Sequence, residues 1–304
     1  MSPVDALREG LGCVNRVKRM WAVYWLWNTA FALVVVLPVS AVLFRDLGHS
    51  LYAGRMFENF EVQWLIEFYQ QTHLWPAIVL APVAVLAAGG FLLAGTFLAG
   101  GALWTFRDPS PRFVPAVFYQ GCGRNFARLV WLLLLSLPFY AAVLLIGGSL
   151  NALASKVWGE GLEAHPLVIF GWFRLALVAL LALAVNMVFD YAKIRMVAED
   201  LRNPWRALAG SAALVARNFG PAAGTFALIA AIGLALSAAY LLLSNLLPRG
   251  AMGWLALALA LLLQQACIVG RIWVRLTFFA GQTRMYEALT APPREPAGLS
   301  GYTG

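Results

Sequence analysis

The sequence predicts an all-α polytopic membrane protein, with six transmembrane helices arranged as three repeats of an interfacial helix followed by a helical hairpin. Three observations predict it. Hydrophobic residues make up 62% of the 304 and charged residues only 12%, against roughly 25% charged in a soluble domain; the mean hydropathy is +0.75. Six apolar runs, at 20–44, 74–106, 129–150, 167–189, 222–247 and 252–280, reach the roughly 20 residues that cross a bilayer as a helix. A Pro followed thirteen residues later by an Arg occurs ahead of a span pair three times, as Pro3 and Arg16, Pro111 and Arg124, and Pro204 and Arg217.

Those prolines follow Ser2, Ser110 and Asn203, all good N-cap residue types. Proline at the first helical position needs no backbone N–H and already has a helical φ. Short helices are therefore expected over 3–16, 111–124 and 204–217, each basic at its far end. The repeats run over about 2–106, 110–190 and 203–284, inside a single transmembrane domain of residues 1–291. The remainder, 292–304, rich in Pro, Gly and Ser, reads as a flexible cytoplasmic tail. The first apolar run is long and lacks a small-residue cleavage site, so it reads as an uncleaved signal-anchor. Pro38, Pro82 and Pro138 fall inside spans as candidate kinks, which membrane helices tolerate when neighbours satisfy the freed carbonyl.

Positive charge sets the orientation. Of the 22 Lys and Arg, only Arg45, Arg55, Lys156 and Arg249 fall on one side and Arg174 within a span; the rest gather on the other side. Both termini are thus expected in the cytoplasm. Of the outer connections, the first carries Phe57, Phe60, Trp64 and Phe68 at helical spacing among acidic residues, as a helix lying on the surface or capping the bundle would. The net charge of +8 contains no basic run of five, so the charge argues against nucleic acid as a partner. Cys13, Cys122 and Cys267 give no disulfide framework.

Close helix packing in lipid depends on small residues. The second span offers Gly89, Gly90, Gly95, Gly100 and Gly101; the fifth offers Gly220 and Gly224 and an Ala stripe at 223, 227, 231, 235 and 239. Both read as tight helix–helix seams.

Intramembrane polar residues are costly, about 2.5–3.5 kcal/mol for a charge at the helix centre. In the fourth span Asn186, Asp190 and Lys193 share one face, and in the sixth Gln264, Arg271 and Arg275 do the same at a similar depth. The sequence predicts an intramembrane polar network in which Asp190 pairs with Arg271 or Arg275. Such a network either fixes helix packing, relays protons or substrate, or contacts headgroups. Arg174 lies near the outer surface, where it either snorkels toward Glu160, Glu163 or an acid of the first outer loop, or contacts an anion. Arg16, Arg124 and Arg217 are candidate phosphate contacts at the inner interface.

The chemistry-bearing motifs are missing from the sequence. His49, His73 and His165 lack metal-ligand spacing, and neither a phosphate-binding GxxxxGK[ST] loop nor a GxSxG elbow occurs. The reading is non-catalytic, with no cofactor.

Two stretches carry a resemblance. One runs from Asp190–Tyr191–Ala192–Lys193–Ile194–Arg195 through Glu199–Asp200 to Arg217–Asn218–Phe219; the other joins Gly100–Gly101 to Phe113, Gly121–Cys122 and Arg124–Asn125–Phe126. They resemble an uncharacterised group of bacterial six-span inner-membrane proteins, similar in layout to the membrane domain attached to some glycerophosphodiester phosphodiesterases. The resemblance implies a bacterial plasma-membrane fold and carries over no catalytic residue. The expected function is a non-catalytic inner-membrane protein that interacts with membrane lipids or serves as scaffold or partner in an envelope complex. The alternatives are the membrane subunit of a transporter working with a separate ATPase, and a membrane enzyme acting on lipid headgroups. The oligomeric state is open.

Overall fold

The computed structural model describes residues 1–47, 81–158, 164–246 and 253–291. Among them are eight helices and no strand: α1 (Pro3–Arg16), α2 (Lys18–Leu47), α3 (Ala81–Phe106), α4 (Pro115–Trp158), α5 (Ala164–Ala198), α6 (Pro204–Arg217), α7 (Phe219–Leu246) and α8 (Gly253–Thr290). All but α1 and α6 are long and apolar enough to cross a membrane, giving six candidate spans. The aromatic segment of the first outer connection, the acidic residues Glu160 and Glu163 and the 292–304 tail lie outside the described residues.

The first and last of the expected short helices form as their caps dictate. Ser2 Oγ accepts from the Asp5 N–H at 3.2 Å while the Asp5 carboxylate accepts from the Ser2 N–H, a reciprocal capping box. The Ser2 hydrogen bonds hold the Asp5 carboxyl below its ordinary range. Asn203 accepts from the N–H groups of Trp205 and Arg206 and opens α6. Breaks follow at Val17 and Asn218, so α1 and α6 stay separate from α2 and α7.

The middle short helix differs. No helix starts at Pro111; α4 starts at Pro115 and runs 44 residues without a break through Arg124. The reason is a second proline four residues on. Proline disfavours helical backbone in the residue before it, so Val114 stays outside the helix, and its carbonyl accepts the first intrahelical bond from Phe118. Nothing then breaks the chain after Arg124 as Pro221 does in the first turn of α7. The expected short helix and its span are one element here. Pro38 and Pro138 lie within helices, whereas Pro82 is in the first turn of α3.

α8 packs on α1, α2, α3, α5 and α7, and α3 packs along α4. Buried side chains concentrate at the end of the bundle carrying α1 and α6. Tyr24, Phe106, Phe118, Tyr191, Leu276 and Met285 are all buried there. Toward the other end large apolar side chains such as Leu144, Leu242 and Leu262 are two-thirds or more exposed, which only an apolar solvent accommodates at low cost. The densely packed end is tied by polar contacts between connections. Arg284 donates to the Asp108 carbonyl at 2.6 Å and to Glu287 at 2.7 Å. Tyr286 donates to Glu199, which also accepts from Arg195. Asp200, after α5, accepts from Arg124 and Arg128 of α4.

The glycine seam in the second span is real. A Cβ on Gly101 would lie 2.7 Å from the Phe118 carbonyl oxygen, and one on Gly121 would lie 2.6 Å from Trp104 Cβ, so α3 and α4 meet backbone to side chain. The small-residue set of α7 is a seam only at its start, where Ala223 packs on the core and a Cβ on Gly224 would stand 2.9 Å from Pro3 of α1; Ala227, Ala231, Ala235 and Ala239 are exposed. The packed face of α7 instead carries Ala222, Thr225, Phe226 and Ile229, and the α7–α8 contact closes where Leu236 lies over Gly270.

Candidate functional site

α5 and α7 both lean on α8 and leave between them a cleft of about 420 Å³. Asn186, Asp190 and Lys193 line it from α5, Gly233, Leu236 and Ser237 from α7, and Arg271, Val274 and Arg275 from α8, with Phe278 and Phe279 at the same wall. Five of the six residues expected in the intramembrane network therefore converge. Helix periodicity explains the convergence, because residues at spacings of 3 and 4 share a face.

Gln264 is the exception. It is exposed and lines none of the described cavities. The polar contact on this stretch belongs to its neighbour: Gln265 accepts from the Trp25 indole at 2.8 Å. Gln265 is seven residues before the buried Ile272, a phase signal that identifies the packed side of α8.

The partner of Asp190 also differs from expectation. Its carboxylate is bound by Lys193 at 2.8 Å and more loosely by Asn186 at 3.4 Å, and Asn186 in turn accepts from Tyr140 of α4 at 3.5 Å. Among the described residues, no ion pair joins Asp190 to Arg271 or Arg275, and neither Arg has a carboxylate partner. Lys193 wins because it is one turn away on the same helix, so no second backbone has to be positioned for the contact. Arg275 instead reaches across the bundle. Its guanidinium lies 5.9 Å from the ring centroids of Tyr24 and Phe279, within cation–π range, and a Cβ on Gly95 would stand 3.1 Å from its Nη2. Glycine at 95 leaves room for that guanidinium. Tyr140 and Gly95 were not singled out as contacts of the site from sequence, since a single helix reports its own phase and not which neighbour meets it.

Arg271 and Arg275 also line a second cavity of about 360 Å³, on the α2–α3 side, with Tyr24, Asn28 and Phe91. The two cationic side chains form the joint between both cavities. Both arginines lie within the sixth candidate span. They lie about 27 and 33 Å along α8 from its first residue, Gly253, at 1.5 Å per residue.

Comparison with protein-family models, curated proteins and solved structures returns no match to this chain.

The remaining candidate residues lie apart. Arg174 is half-buried on α5, and Glu160 and Glu163, its expected partners, are outside the described residues. Arg16 and Arg217 are exposed at the ends of α1 and α6. Arg124 is engaged by protein: it pairs with Asp200 at 3.0 Å and stacks 4.9 Å over the Trp104 ring. Its role is first a tie between α4 and the α5–α6 connection. Among the described residues, no group of His, Cys, Asp and Glu has the arrangement of a metal site.

Proposed function

We propose that this integral membrane protein binds an anionic lipid, with the phosphate of the headgroup held by Arg271 and Arg275. One observation carries the reading: two guanidiniums on a candidate membrane span share cavities in which the single carboxylate, Asp190, is already bound by Lys193. Arginine suits a phosphate because its planar fork donates two parallel hydrogen bonds. Leu236, Val274 and Phe278 beside the cations suit an amphipathic ligand better than a small free anion. The site belongs to a non-catalytic, lipid-interacting protein of the bacterial inner membrane, with both termini in the cytoplasm. The distribution of Lys and Arg and the resemblance described above support that placement.

The test is thermal unfolding of the purified chain with added lipid. Phosphatidylglycerol should raise the midpoint more than phosphatidylcholine, and the double variant Arg271→Gln/Arg275→Gln should lose the difference. Soluble glycerol phosphate should stabilise weakly or not at all. Equal stabilisation by both lipids, or a difference that survives the double variant, overturns the reading. Full stabilisation by glycerol phosphate would point to a free anion instead.

A second reading, the membrane subunit of a transporter with a separate ATPase, draws support from the cleft being polar and open, rather than closed by an Asp190–Arg pair. Under that reading, co-purification of the chain from its native membrane brings down an ATPase in fixed ratio.

A further inference from the structure

We infer that an acyl chain of the bound lipid lies in the groove between α2 and α3, so that this protein recognises the whole lipid and not the headgroup alone. The inference rests on the lipid reading above and adds the seat of the chain.

The geometry is continuous. The second cavity begins at Arg271 and Arg275 and includes Asn28 and Phe91. Those two residues also belong to a third cavity of about 420 Å³, which continues along α2 and α3. Beyond Asn28 its lining is wholly apolar: Phe31 and Val35 on α2 face Ala84, Ala87 and Ala88 on α3. The polarity therefore runs from two guanidiniums through the Tyr24 phenol and the Asn28 amide to hydrocarbon, in the order of a phospholipid from phosphate to acyl chain. The direction is right as well. α2 leaves the densely packed end at Tyr24, and its 11 residues from there to Val35 advance about 16 Å toward the opposite face, so a chain following it enters the hydrocarbon.

The shape of the groove follows from residue size. Alanines at 84, 87 and 88 keep α3 low where Phe31 and Val35 stand opposite. Gly90 lets the Phe31 ring lie against α3, since a Cβ there would be 2.9 Å from that ring. Phe31 is in turn held edge-on by Phe91. Burying a methylene contributes about 0.8 kcal/mol, but in a membrane the alternative is bulk lipid. Selectivity for the chain thus comes from its attachment to the held phosphate and from fit, and not from hydrophobicity.

The experiment uses the full chain reconstituted with phosphatidylglycerol bearing a diazirine midway along one acyl chain. On irradiation the label should concentrate on residues 31–35 and 84–91. Excess unlabelled phosphatidylglycerol should compete it away at least fivefold better than phosphatidylcholine. Ala88→Trp, and separately the milder Ala84→Leu, should reduce labelling there and diminish, without abolishing, the Arg-dependent rise in thermal midpoint with phosphatidylglycerol. Label on α5 or α7 with that rise intact overturns the acyl seat and leaves the lipid reading standing. Groove labelling that both lipids compete equally marks ordinary bilayer contact and also overturns it. Absence of the Arg-dependent rise in the unsubstituted chain removes the lipid reading and this inference with it.

Discussion

Asp200 accepts a hydrogen bond from Arg124 at 3.0 Å, across 76 residues of sequence, while its own backbone sits in the left-handed region at φ 53°. The two facts belong together. α5 ends in a Schellman-type turn, with the Leu201 N–H returning to the Met196 carbonyl, and the residue before Leu201 must take a left-handed conformation that glycine usually supplies. Aspartate tolerates it better than most residues, and here its carboxylate gathers Arg128 and Arg124 from α4. The Arg128 and Arg124 hydrogen bonds hold the Asp200 carboxyl below its ordinary 3.8.

A pH-dependent outcome follows. A carboxyl whose folded pKa is depressed contributes stability above its unfolded pKa, and that contribution is lost as pH falls through the folded value. Asp200→Asn should lower the thermal midpoint at pH 7, and the deficit should shrink as pH drops below about 3.8. Asp200→Gly also loses both ion pairs but relieves the backbone, so at pH 7 it should unfold above the Asn variant. A deficit for Asn that stays constant down to strongly acidic pH would show that the ion pairs contribute nothing.

The helix caps separate the formed short helices from the one that is absent. Ser2→Ala and Asn203→Ala each remove an acceptor for helix N–H groups and should cost about 1 kcal/mol. Ser110→Ala should be nearly neutral, because α4 begins only at Pro115. Denaturation of the three variants in detergent checks this, and an equal cost for Ser110 would mean that a capped helix does start at Pro111.

The α3–α4 seam makes a steric prediction. Gly101→Ala and Gly121→Ala place a methyl against backbone or the root of a side chain at 2.7 and 2.6 Å, where neither neighbour can rotate away. Each should destabilise by about 1–3 kcal/mol. Gly89→Ala on the same helix meets nothing within 4 Å and should stabilise by up to about 1 kcal/mol through helix propensity. Equal effects at 89 and 101 would contradict the packing.

What the sequence made legible was local. Run length and composition locate the spans, because lipid demands an unbroken apolar helix of fixed length. The caps at Ser2 and Asn203 are written in adjacent residues. Pro111 misled because Pro115 competes for the same helix start, and the rule for the residue before proline decides in favour of the later one. The site was legible as a set of helix faces, which is why Asn186, Asp190, Lys193, Arg271 and Arg275 could be grouped. The pairing within it was not, because periodicity gives the direction of a face and not the reach of a side chain. Gln264 against Gln265 shows the same limit at finer scale: one residue is 100° of helix rotation, the difference between an exposed amide and one bonded to Trp25.

The charge arrangement in the cleft gives the last prediction, in which stability and binding should respond with different signs. Because Asp190 pairs with Lys193 at 2.8 Å and with neither Arg, Asp190→Asn and Lys193→Gln should be non-additive in stability, by roughly 0.5–1 kcal/mol for a partly exposed pair. Cycles of Asp190→Asn with Arg271→Gln or Arg275→Gln should show a smaller coupling. Removing the carboxylate leaves Lys193, Arg271 and Arg275 facing the cleft unopposed, so Asp190→Asn should tighten phosphatidylglycerol binding even as it destabilises the fold. Lys193→Gln also breaks the pair and should destabilise the fold, but it should weaken binding, because it removes a cation and releases the carboxylate toward the ligand. A shift of roughly two- to tenfold each way is the scale expected for one charge acting through a partly solvated cleft. If Asp190→Asn weakens binding as much as Arg271→Gln does, Asp190 orients the cations, and the cleft works as a single ionic unit rather than as two free guanidiniums beside a closed pair.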